Sequence, residues 1–204
     1  MMKIFALTFV CLIFFSTTSI SQIALEFEAG RNFANASPPS LAPTADWKTR
    51  SGYVGALLAS FPLSTRLSVQ TGLRFIQKGT KIDFVYDLTA THNYIEFPVY
   101  ARFEAADFGS RLLVSGGPAF SFLANSYVQG SSPTYGTLSH NTNDQYKSYD
   151  VSLDGGFDLV NPIFDKLAFI ISAKYSFGLI EIDKTGTNEE SRDIRLTAGV
   201  AYCL

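Results

Sequence analysis

Between residues 67 and 103 the chain carries two long runs of alternating apolar and polar positions joined by a polar stretch. In the first run Leu67, Val69, Thr71, Leu73 and Phe75 share one face, and Arg66, Ser68, Gln70, Gly72, Arg74 and Lys78 share the other. In the second, Ile95, Phe97, Val99, Ala101 and Phe103 stand opposite Tyr94, Glu96, Pro98, Tyr100 and Arg102. Period-two alternation places successive side chains on opposite sides of an extended chain, so the segment predicts a β-hairpin with one apolar and one charged face. Strands of soluble proteins average about 5 to 6 residues. These run to roughly a dozen, the span that a tilted strand needs to cross a bilayer.

The same pattern recurs along the rest of the chain. Strands are expected over about 22–33, 49–60, 111–124, 147–159, 167–178 and 192–204, besides the two of the hairpin. Polar or proline-rich stretches separate them at 34–47, 79–90, 125–146 and 179–190, alternating with short connections at 61–65, 104–110 and 160–166. The long stretches are read as loops. Lys174 is expected to pair with Asp150 or Asp154, because a turn at 160–166 sets Ser152 opposite it. Eight strands with long and short connections in alternation predict an all-β fold, an eight-stranded antiparallel up-and-down transmembrane β-barrel with short periplasmic turns and longer extracellular loops. A soluble ligand-binding barrel would reverse the facing, with its apolar side inward.

Composition narrows the picture. A mean hydropathy of +0.13 is too low for a helical bundle in lipid and suits a barrel, in which every second residue faces inward. Residues 1–21, with Lys3 ahead of the apolar run 4–15 and Ser19-Ile20-Ser21 at its end, read as a signal peptide, which leaves 22–204 as one barrel domain. Removal of Cys11 with that segment leaves Cys203 alone, so no disulfide within the domain is expected. A formal charge of -2 offers nothing to nucleic acid. The expected surroundings are outer-membrane lipid, with a protein partner at the extracellular loops and the barrel itself a monomer. No cofactor is expected. Thr197, Gly199, Tyr202 and Leu204 resemble the terminal signal by which outer-membrane barrels are delivered for insertion.

Tyr94-Ile95-Glu96-Phe97-Pro98-Val99-Tyr100, preceded by Gly72-Leu73-Arg74-Phe75 with Lys78-Gly79 and followed by Gly116-Gly117-Pro118, resembles the PorT-like family of small outer-membrane β-barrels common in Bacteroidetes. The resemblance covers nearly all of residues 22–204 and implies a barrel in the outer membrane. Most members of that family have no established activity.

The candidate functional residues are those of the polar face. Glu26, Glu28, Glu96, Asp150, Asp154 and Asp158 oppose Arg74, Arg102, Lys174 and Arg195, with Arg66, Lys78 and Arg111 on the same face. An eight-stranded lumen is just wide enough to be filled by side chains, so nearly balanced charge predicts mutual pairing that plugs it, with Arg74 and Glu96 as one pair. Pro98 and Pro118 fall mid-strand, where each removes a ladder donor, and predict a local irregularity in the wall. The function this supports is non-enzymatic: a structural or partner-binding barrel. Two alternatives stand beside it. Binding or transport of a small hydrophobic molecule would need an apolar lumen near Pro98 and Pro118. A lipid-modifying enzyme would need a serine beside a base, and Ser139-His140 are adjacent in a stretch read as loop, where neighbouring side chains diverge.

Overall fold

The structure, a computed structural model, describes residues 22–36, 46–83, 87–132, 136–182, 184 and 191–204. The expected signal peptide at 1–21 lies outside them, as does most of the first long stretch. Nine strands are present among the described residues: β1 Ala24–Ala36, β2 Asp46–Pro62, β3 Leu67–Asp83, β4 Asp87–Asp107, β5 Arg111–Ser132, β6 Gly136–Asn141, β7 Tyr149–Phe164, β8 Leu167–Gly178 and β9 Ser191–Cys203. Eight of them close an antiparallel ring in the order β1-β2-β3-β4-β5-β7-β8-β9, and β1 and β9 pair over their whole lengths from Ala24↔Cys203 to Ala36↔Ser191. Closure leaves the ring without an edge, so no strand presents an open row of backbone polar groups to lipid.

The facing is that of a membrane barrel. Phe27, Leu57, Leu73, Phe97, Phe120, Leu153, Phe157, Ile171 and Leu196 point outward and are exposed, Phe27 by 59%. Along β8 every residue from Ala168 to Gly178 alternates between buried and exposed, with Ala168, Ile170, Ser172, Lys174 and Ser176 inside. The least regular expected strand, β2, resolves the same way: Tyr53, Leu57 and Phe61 face out, and Val54, Ala56 and Leu58 are buried.

Two stretches read as loops are largely ladder. β3 runs on to Asp83 and β4 begins at Asp87, so most of 79–90 is paired strand. Likewise 125–146 is not a loop: β5 continues to Ser132 and turns back as β6, with the short 3-10 helix Asn143–Gln145 following. β2, β3, β4, β5 and β6 therefore rise beyond the barrel as one sheet, in which β6 pairs only with β5 among the described residues. At the other end the connections are short, with turns at 63–66, 108–110 and 165–166. We refer to these as the loop end and the turn end.

A closed ladder in lipid gives a direct expectation. The protein extracted from outer membranes should migrate faster on a gel unboiled than boiled, because detergent alone does not open a ring with no edge. Equal mobility would show that the ring is not closed.

Candidate functional site: a lumen filled with paired charges

Thirteen charged side chains are buried among the described residues, seven acids (Glu26, Glu28, Glu96, Asp150, Asp154, Asp158, Asp193) and six bases (Arg50, Arg74, Lys78, Arg102, Lys174, Arg195). They come from seven of the eight barrel strands, β5 supplying none, and each occupies an inward slot of the alternation. Because the excess is a single negative charge, pairing among them neutralises nearly all of the lumen.

At mid-height β4 sets Glu96 directly across from Arg74 of β3, and Oε1 of Glu96 accepts from Arg74 Nη1 at 2.5 Å and from Arg195 Nη1 of β9 at 3.0 Å. Ser121 Oγ donates to the other carboxylate oxygen at 3.0 Å. Arg195 also reaches Asp154 of β7 at 2.5 Å, and Arg74 lies 3.7 Å from the same carboxylate. Tyr100 donates its hydroxyl to Asp154 and accepts from Arg74 Nη1 at 2.9 Å. Its ring lies between two cations, 5.5 Å from the Arg74 guanidinium carbon and 5.6 Å from Lys174 Nζ. Two acids, two arginines and a tyrosine thus span the lumen from β3 and β4 to β7 and β9.

Toward the turn end, Arg102 donates through Nη1 to Glu26 at 2.6 Å and through Nε to Asp158 at 3.1 Å. Gln70 and Ser60 complete Glu26, at 2.7 and 2.5 Å. Lys174 pairs with Asp158, which differs from the expected partners Asp150 and Asp154. The cause is register: Pro162 sits in the strand instead of opening the turn, so Lys174 lies opposite Gly156, not Ser152, and Asp158 becomes its diagonal neighbour. Glu28 accepts from Thr197. Toward the loop end, Lys78 donates to Asp150 at 2.8 Å and lies 3.5 Å from Asp193. Of the other expected inward charges, Arg66 and Arg111 lie exposed at the turn end, Arg111 within 4.0 Å of Glu104.

Asp193, Asn32 and Tyr100 complete this network but were not singled out from the sequence. Parity was the available signal for Asp193, which shares its face with Arg195. The same signal was available for Asn32, which shares its face with Glu26 and Glu28 and whose amide donates to Asp193 Oδ1 at 3.4 Å and to the Gln77 carbonyl at 3.0 Å.

Pro98 and Pro118 flank a break in the ladder on both sides of β4. Pairing of β4 with β3 skips from Thr71↔Val99 to Arg74↔Glu96, and pairing with β5 skips from Pro98↔Ala119 to Ala101↔Gly116. The lumen behind this break holds Tyr100 and Glu96, not apolar residues, so the apolar lumen that transport of a hydrophobic molecule would need is not found there. Ser139 and His140 lie exposed on neighbouring positions of β6, not in a loop. A serine and a histidine do meet elsewhere, His92 Nδ1 at 2.8 Å from Ser126 Oγ, which is itself 2.7 Å from Thr142 Oγ1. The serine is 0% exposed, so no substrate reaches its hydroxyl. Tyr146 packs on His92 with ring centroids 4.2 Å apart, and the neighbouring Lys147 N donates at 2.8 Å to the carbonyl of the buried Ile182.

Similarity to known proteins agrees with this geometry. Neisserial surface protein A superposes with a TM-score of 0.53 at 12% identity, covering 90% of this chain and 98% of that one. A major outer membrane protein of Thermus thermophilus gives 0.53 at 14% identity over 90% and 100%, and OprG of Pseudomonas aeruginosa 0.51 at 7% over 90% and 96%. At these identities the likeness is one of fold. No curated protein sequence matches the chain. A sequence-family profile described as an outer membrane protein beta-barrel domain matches residues 15–184. With the closed ring, the apolar exterior and that match together, the chain belongs to the outer-membrane β-barrel domain family and resides in the outer membrane.

Proposed function

We propose that this protein is a non-enzymatic, non-conducting barrel that anchors a partner-binding surface in the outer membrane as a monomer. The observation that carries the reading is the succession of three sets of paired charges along the lumen, Glu26 with Arg102 and Asp158, Glu96 and Asp154 with Arg74 and Arg195, and Lys78 with Asp150 and Asp193, which leaves no one-signed path through it. Ion-selective pores need rings of one charge or a hydrated passage, and here opposite charges saturate each other. The partner surface is the sheet that β2 to β6 raise at the loop end, taken to face the cell exterior. Its outer strand β6 carries Leu138, 71% exposed, and no lysine or proline, the residues that ordinarily shield a strand edge. Within the family we place the chain with the PorT-like barrels. The residues of that resemblance, Arg74, Glu96, Pro98, Tyr100 and Gly117, build the mid-lumen cluster and the break beside it.

Reconstituted in planar bilayers, the purified protein should give no stable channel. A steady, ion-selective conductance would mean that the charges line a working pore, and the plugged reading would fall.

A further inference from the structure

At the turn end, below Arg102, the lumen opens into a cavity of about 200 Å³. Its halves differ in chemistry. From β5, β7, β8 and β9 it is walled by Leu113, Val160, Ala168, Ile170 and Ala201, a buried apolar cluster turned inward in a lumen otherwise dominated by charge. The rest of the lining carries three arginines, Arg66, Arg102 and Arg111, and two acids, Glu26 and Glu104. Arg102 is buried and commits Nη1 to Glu26 and Nε to Asp158, and Arg111 lies 4.0 Å from Glu104. Arg66 lines the same cavity, is exposed, and forms no ion pair among the described residues.

We propose that this cavity is a binding site for a small amphipathic anion, a monocarboxylate with an aliphatic tail. The carboxylate meets Arg66, and the tail lies along the wall of Leu113, Val160 and Ala168. Charge and surface each select one end of the ligand. A neutral hydrocarbon leaves Arg66 unanswered, and a compact inorganic anion gains nothing from the apolar wall. Size sets the rest: the cavity exceeds the roughly 150 Å³ that admits benzene and falls short of the roughly 300 Å³ at which drug-sized sites begin, which corresponds to a tail of about six to eight carbons. Each methylene buried should strengthen binding about fourfold.

Cys203 lines the cavity and reports its occupancy. With the protein taken from outer membranes into lipid nanodiscs, maleimide labelling of Cys203 is read by mass spectrometry of the peptide that carries it. Octanoate below its micellar concentration is expected to slow labelling at least fivefold, whereas acetate and octanol at the same concentration leave it unchanged. Arg66→Gln, at a residue outside the ion-pair network, should raise the octanoate concentration needed about tenfold. Ala201→Leu, which fills the cavity, should abolish the octanoate effect in protein that still migrates as a closed barrel. Protection by octanol equal to that by octanoate would show mere partitioning of apolar chains and overturn the proposal. So would octanoate protection that survives Arg66→Gln unchanged, or its absence in the wild type.

Discussion

Glu96→Ala is expected to destabilise the barrel by about 3 to 5 kcal/mol, the loss seen when one partner of a buried ion pair is removed. Two guanidinium groups share this carboxylate, and the side chains of Arg74, Arg195 and Glu96 are 5%, 3% and 0% exposed, so solvent does not screen the cations left behind. Asp154 would then face both arginines alone. Glu96→Gln keeps the shape but loses the charge and should lie between alanine and wild type. Glu104→Ala, at the turn-end rim with its nearest cation 4.0 Å away, should cost at most about 1 kcal/mol. The urea midpoint for loss of the fast-migrating form measures all three. If Glu96→Ala and Glu104→Ala unfold together, the mid-lumen cluster contributes no more than a surface pair.

Gly117→Val should sharply reduce the fraction of protein that closes into a barrel. Gly117 has φ +156°, where side chains are rarely accommodated, and a Cβ there would fall well inside contact with the Val99 carbonyl oxygen and Tyr100 Cα of β4. The backbone conformation alone costs a non-glycine residue about 1 to 3 kcal/mol. The steric push adds to this where Val99 and Tyr100 already lack ladder partners on β5. Gly155→Ala, on β7 with open space around its Cβ, is the matched control and should assemble normally. Equal yields of closed barrel from the two variants would show that β4 and β5 do not need this close approach.

Where the wall meets lipid, the fold was legible in the sequence, because the bilayer demands an apolar residue at each outward position and the lumen admits polar ones. Leu167 to Gly178 shows this most clearly. Beyond the bilayer that demand ends. At Asn125 to Ser132 and Gly136 to Asn141 both faces are polar, so alternation vanishes although pairing continues from Tyr127↔Asn141 to Ser132↔Gly136. The sequence therefore read as loop what the ladder holds as strand. Inward facing was equally legible, but partners were not. Which carboxylate Lys174 meets depends on where the β7–β8 turn falls, and Asn161-Pro162 resembled that turn while lying in the strand. The turn-end cavity was hidden for a related reason: Leu113, Val160, Ala168, Ile170 and Ala201 are scattered over four strands and become neighbours only on closure.

The pairing of β1 with β9 joins the two ends of the described chain, so the ring is complete only where they meet. Until β9 docks, Glu96 and Asp154 have Arg74 near them but lack Arg195, and Lys78 lacks Asp193. Sealing the wall and neutralising its interior are thus a single event. A ring closed out of register would strand Arg195 away from its acids, so the charge pairs favour one register at the seam.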